Sequence, residues 1–248
     1  MSRRLVNLAL LVGLVLVVWE AAHLIAGASA IASPTDTIEH LVSLAGTSRF
    51  WDNARATVVA FAMAACITVA GGVALGIVFG ISRFARETVE PIITMIYSLP
   101  KITLYPVILL IFGFGLSSKV ALGVLHGIVP IVLFTMGAIA QINPVYVRSG
   151  RAMSLGLMKR IAHIYVPAAL PGIASGLRVG LSLTLFGTLI GEMFASQSGL
   201  GALLMASIET AQVKTILALA VVLSVFAITM NALLLRLDKH LRAGGQGK

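Results

Sequence analysis

Six long apolar runs alternate with short polar connectors along the chain, at residues 5–26, 57–81, 91–112, 120–140, 167–190 and 215–237. Each meets or approaches the roughly 20 residues a helix needs to cross the hydrocarbon core of a bilayer. Only helices or closed barrels satisfy their backbone in lipid, and runs of this length fit helices. The pattern predicts an all-α, polytopic membrane protein with about six transmembrane helices. The third run is interrupted by Pro100, Lys101 and Pro106, and the fifth starts beside Pro167 and Pro171.

The connectors have patterns of their own. In residues 27–54, Ser33-Pro34-Thr35-Asp36 is followed by Ile38, Leu41, Val42 and Leu44 at helical spacing, which predicts a short amphipathic helix on the outer surface. Residues 191–214 form a second outer connector, with a turn at Ser198, Gly199 and Gly201. Residues 141–166 are the only long inner connector. There Asn143-Pro144 opens a helix on which Val145, Ala152, Leu155 and Met158 can share a face, with Arg148, Arg151 and Lys159 around it. Gly156 breaks or bends that segment, and the chain re-enters the membrane at Pro167. A basic, half-apolar helix between two spans is either a docking element or a loop lying on anionic lipid headgroups. The organisation expected is an N-terminal helix with its connector (1–53), a core of five helices (54–238) with the short inner helix at about 144–160, and a tail (239–248).

Composition makes the membrane assignment firm. Hydrophobic residues are 58% of the chain and charged residues 11%, against roughly 25% charged in a soluble domain. With a mean hydropathy of +1.02, there is too little polar surface to cover a water-facing fold. The net charge of +9 does not indicate nucleic acid, because no basic stripe with interleaved aromatics exists. The basic residues instead set orientation. With the N-terminus inside, Arg3, Arg4, Arg83, Arg86, Arg148, Arg151, Lys159, Arg160, Arg236, Lys239, Arg242 and Lys248 fall on the inner side, against Arg49, Arg55, Lys119 and Lys214 outside. That excess places both termini in the cytoplasm. Ala28-Ser29-Ala30 resembles a secretory cleavage site. The long apolar stretch before it and an interfacial Trp19 favour an uncleaved first helix.

Within the spans, Gly72, Gly76 and Gly80 recur at four-residue intervals, as do Gly172, Gly176 and Gly180. Each set lets a neighbouring backbone approach closely. His126 lies mid-span and reads as a satisfied structural histidine. The lone Cys66 forms no intrachain disulfide, and no His or carboxylate set has metal-ligand spacing, so no bound metal is expected. No nucleophile stands with a positioned base, which leaves no case for an intramembrane hydrolase. No Gly-x-x-x-x-Gly-Lys-Ser/Thr loop occurs either.

The run Ala152-Met153-Ser154-Leu155-Gly156, with Val166-Pro167-Ala168-Ala169-Leu170-Pro171-Gly172 downstream, resembles the cytoplasmic signature of binding-protein-dependent ABC importer permeases. Two departures stand out: Gly150 and Arg151 occupy positions where Glu-Ala is usual, and the glycine-to-proline spacing is about two residues short. Further blocks resemble the nitrate/taurine/sulfonate group of these permeases. They are Trp19-Glu20, Ser33-Pro34, Leu99-Pro100-Lys101-Ile102, Phe112-Gly113-Phe114-Gly115, Gly191-Glu192-Met193 and Ser198-Gly199-Leu200-Gly201. The resemblance implies a type I importer permease fold and a permease homodimer in the bacterial inner membrane. It implies a dimer of cytoplasmic ABC ATPase subunits, which hold the ATP and Mg and hydrolyse it, and a periplasmic or lipid-anchored solute-binding protein. By the same resemblance, this chain is not an enzyme and binds no cofactor itself. The ATPase would be contacted through Ser149, Gly150, Arg151, Ala152, Leu155, Gly156, Leu157, Met158, Lys159 and Arg160.

Ser98, Pro100 and Lys101 mark a candidate translocation pathway. A cation inside a span costs a few kcal/mol unless it reaches water or a partner. Lys101 is therefore either a pore-facing charge for an anion or a lysine that snorkels or is paired internally. Glu192, at the outer end of the fifth span, is expected to contact the binding protein or to form a local ion pair. Two rivals are weighed. A secondary transporter driven by an ion gradient would want coupling carboxylates and repeated halves, and neither is evident. A membrane scaffold would leave the inner connector unexplained.

Overall fold

The structure, a computed structural model, describes residues 3–245. The side chains of Arg3, Arg4, Lys239 and Arg242, and all of Lys248, lie outside the described residues. Eleven α-helices follow one another with no strand among the described residues. In order they are α1 (Arg3–Ala26), α2 (Pro34–Ala45), α3 (Ser48–Ile81), α4 (Arg83–Ser98), α5 (Tyr105–Phe112), α6 (Leu116–Ala140), α7 (Pro144–Ala152), α8 (Leu157–Arg160), α9 (Val166–Ala195), α10 (Leu200–Glu209) and α11 (Val213–Gly245). A 3-10 turn, Lys101–Leu104, precedes α5, and a π turn, Ile161–Tyr165, joins α8 to α9.

Among the described residues, four helices are long and apolar enough to cross a membrane: Ser48–Ile81, Leu116–Ala140, Leu157–Ala195 and Val213–Arg236. A fifth candidate is α4 together with the Lys101–Phe112 segment, and the two meet at 86°. The first apolar run forms α1, whose stretch Leu10–Ala26 is shorter than those spans. The sequence pattern placed one interrupted span at 91–112. Here the chain turns almost at a right angle, because Leu99 is extended before Pro100 and Pro100 has no N–H to continue the helix.

The bundle is built around α6. Gly72, Gly76 and Gly80 of α3 lie against Ile131, Thr135 and Ile139 of α6, where a Cβ on Gly76 would sit 2.5 Å from Thr135 Cβ. From α9, Gly172, Gly176 and Gly180 meet Ala138, Phe134 and Ile131 of the same helix. Both glycine stripes therefore press on one helix rather than on each other. In return, Gly123 and Gly127 of α6 face Thr188 and Thr184 of α9. Close backbone approach replaces the hydrophobic driving force that lipid cannot supply.

The outlying elements are tied on by polar contacts. Ser33 caps α2, accepting from the Asp36 N–H at 3.1 Å. His40 and Lys214–Asp36 join α2 to the start of α11. Trp19 donates to the Ala32 carbonyl at 3.0 Å, which ties the 27–33 connector back to α1.

Candidate functional site

At one end of the bundle, α7 begins with Asn143 accepting from the Val145 N–H at 3.0 Å, followed by Pro144 in the first turn. It ends at Ala152. The Leu155 N–H returns to the Gly150 carbonyl at 3.0 Å, and Ser154 takes a left-handed conformation at φ 54°. This is a Schellman stop with serine in the place glycine usually fills. The sequence put the break at Gly156 and one continuous face through Met158. In the structure the break is two residues earlier, and Leu155 and Met158 fall beyond α7. Gly156 is extended and starts the next helix. That helix re-enters the bundle at Leu157, not at Pro167, and runs unbroken to Ala195 through the π turn.

Of the ten proposed ATPase contacts, Ser149, Arg151 and Ala152 are exposed on α7, and Gly156, Leu157, Met158 and Lys159 are exposed on the turn and α8. Leu155 and Arg160 are half-buried, and Arg160 Nε has no hydrogen-bond partner. Gly150 is buried, with Ile164 so close that no side chain could be added without displacing it. Its place where the ABC signature has a larger residue thus has a local cause. A cleft of about 320 Å³ opens beside it, lined by Tyr146, Ser149, Met153, His163, Ile164 and Pro167.

The right-angle break between α4 and the 3-10 turn contains Ser98, Pro100 and Lys101. Ser98 is exposed and donates to the Met95 carbonyl. Lys101 is only 9% exposed. Its Nζ donates to the Tyr97 carbonyl at 3.3 Å and lies 4.6 Å from the Tyr97 ring centre. In an unbroken helix that carbonyl would receive the main-chain N–H four residues on; here the side chain of that same residue serves instead. Among the described residues no carboxylate comes within 4 Å of it. His126 on α6 is buried and hydrogen-bonded to the Leu122 carbonyl at 2.8 Å, as a structural histidine should be.

At the opposite end of α9 the structure gathers residues that sequence reasoning left apart. Glu192, expected at the surface as a binding-protein contact, is 0% exposed and offers no atom to a docking partner. The alternative expectation, a local ion pair, is what the structure contains. Its Oε1 lies 3.7 Å from the Nζ of Lys119, a residue the sequence pattern places on an outer connector and the fold leaves only 2% exposed. Oε2 accepts from the Thr57 hydroxyl at 2.8 Å and the Gly201 N–H at 3.0 Å. Removing one partner of such a pair costs roughly 3–5 kcal/mol, because a buried charge is left uncompensated. Two more contacts close this end: Tyr105 donates to the Phe194 carbonyl, and the Gly115 N–H to that of Ala195 at 2.9 Å. The signal available in the sequence was an acid at the outer end of a span, which needs a cation, and Lys119, also at a span end, was one of the four basic residues placed on that side.

Comparison with known proteins decides the family. Residues 72–243 match the model of the binding-protein-dependent transport system inner membrane component family. The chain belongs to that family. It is 25% identical over 213 residues to the taurine transport system permease protein of Escherichia coli, covering 84% of this chain and 78% of that one. It is 28% identical over 213 residues to a nitrate import permease protein of Synechocystis, covering 81% and 76%. A putative aliphatic sulfonates transport permease protein of Bacillus subtilis is 25% identical over 68% of this chain and 62% of its own length. Among solved structures, the methionine ABC transporter in an inward facing conformation matches at TM-score 0.64 and 19% identity, over 77% of this chain and 96% of the matched one. That likeness establishes the type I importer permease fold. The permease is thus a membrane component of an importer system, and the ion-gradient alternative has no support.

Proposed function

We propose that this permease carries a small anion of the sulfonate, taurine or nitrate class, and that Lys101 is the charge that attracts it. The observation that supports this reading is a nearly buried lysine at a break in the membrane helices with, among the described residues, no carboxylate beside it. The names of the taurine, nitrate and sulfonate relatives point to the same class. Ser98 and Pro100 belong to this pathway, Pro100 by holding the break open. The chain works as a homodimer in the inner membrane with both termini cytoplasmic. Its partners are a pair of ABC ATPase subunits and a solute-binding protein. It does no catalysis itself: ATP and Mg belong to the ATPase, and α7 with the exposed residues at 151–159 couples hydrolysis to the spans.

The deciding experiment is mild-detergent purification of the tagged chain from its native membranes. An ATPase is expected in equal amount, and it is lost when Ser149, Arg151 and Ala152 are replaced together by aspartate while the chain stays folded. A stable, monodisperse chain that brings no ATPase under several mild conditions would overturn the reading.

A further inference from the structure

The buried Lys119–Glu192 pair is not among the residues assigned above to the pathway or to coupling at α7, yet it sets two charges in the interior of the bundle. An apolar pair of similar size is commonly as stable or more so, which makes stability a poor reason for it. Its geometry is directional. Four successive residues are each held from beneath by a side chain of the bundle: the Ser198 carbonyl by Lys119 at 3.1 Å, the Gly199 N–H by Asn53 at 2.7 Å, the Leu200 N–H by Thr57 at 2.8 Å, and the Gly201 N–H by Glu192 at 3.0 Å. Gly199 has φ +119° and lies directly on the Glu192 carboxylate, where no side chain fits. The turn is closed from above as well, since Ser196 Oγ accepts from the Ser198 N–H at 3.1 Å. What remains outward is polar: Gln197 and Ser198 are exposed. α9, at 30 residues, puts this turn about 45 Å from α7.

We propose that Lys119 and Glu192 are positioning residues for a partner-facing turn. They hold Gln197 and Ser198 in one arrangement, at the end of the bundle opposite the ATPase, where the solute-binding protein docks. The proposal rests on the importer reading above. A polar turn suits a water-soluble partner, because an amide and a hydroxyl left unpaired against lipid are costly. A turn ordered in advance loses little conformational freedom on docking, so its rigidity favours binding. Glu192 acts through the turn and never touches the partner.

The test uses the transporter assembled with its ATPase in nanodiscs, with the importer's own solute-binding protein titrated while ATP hydrolysis is followed. The variants are Glu192→Gln, the apolar double replacement Lys119→Met with Glu192→Leu, and Gln197→Ala. The double variant melts somewhat lower, because the Gly201 N–H and the Ser198 carbonyl lose their side-chain partners, but it stays assembled and its basal hydrolysis stays at the wild-type value. The binding-protein concentration giving half-stimulation rises about tenfold, with the maximal rate little changed. Gln197→Ala shifts the same concentration, and the conservative Lys119→Arg variant retains most of the wild-type response. The double variant keeps the experiment decisive if Glu192→Gln does not fold. An unchanged half-stimulating concentration in a folded double variant overturns the proposal. So does a double variant that fails to assemble, since the pair would then be a brace for folding. A wild-type complex that lacks an ATPase, or that no binding protein stimulates, sinks the importer reading itself and is seen before any variant is compared.

Discussion

Lys101 shows how much a single residue can say before its surroundings are known. Its charge and its place in an apolar run were readable from the sequence; that its amine replaces a missing backbone donor at Tyr97 was not, because only the folded break brings the two together. If it attracts an anion, Lys101→Glu lowers uptake of radiolabelled taurine or nitrate into intact cells by tenfold or more, and Lys101→Arg retains most of it. Unchanged uptake of the true substrate in Lys101→Glu would remove the anion assignment. The glycine stripes give a second residue-scale test. Gly76→Ala forces a Cβ to within 2.5 Å of Thr135, an overpacking that costs about 1–3 kcal/mol. Gly13→Ala meets nothing within 4 Å and costs nothing measurable. Melting in detergent compares the two, and equal stability would mean that α3 and α6 are not in contact as described.

Among the elements, the long apolar helices and α2 were legible because periodicity and capping are local properties. The short inner helix was legible as a helix but not in its extent. A left-handed serine is rarely read from sequence, so Gly156 drew the break that Ser154 makes. That conformation carries strain which glycine would not. Ser154→Gly therefore stabilises the chain by about 0.5–1 kcal/mol, after the added freedom of the unfolded chain is set against the relief. Ser154→Val destabilises it by at least as much. A thermal shift of the opposite sign in either variant would place the α7 stop elsewhere.

For the whole molecule, the long α9 separates α7 from the Gln197 turn by a distance comparable to a full bilayer. With Cys66 replaced by alanine, Gln197→Cys in intact cells reacts with a membrane-impermeant thiol reagent, while Arg151→Cys reacts only after the membrane is opened. The reverse pattern would invert the orientation drawn from the distribution of lysine and arginine. Reaction of both in intact cells would mean that α9 does not span.

The sequence by itself determined what depends on the order of residues along the chain: an all-helical membrane protein, its approximate spans, a basic helix between two of them, and the absence of a phosphate-binding loop. These follow from helix length, amphipathic spacing and the cost of charge in lipid, each a property of a short window. Only the tertiary structure decided which helix both glycine stripes serve, and that the chain turns through 86° at Pro100. It also showed that Glu192 faces inward to Lys119 rather than out to a partner. Those outcomes depend on residues 73 positions apart in the case of Lys119 and Glu192, and 135 apart for Thr57 and Glu192. No local pattern can set such a pairing, because the free energy that selects it comes from packing the whole bundle at once.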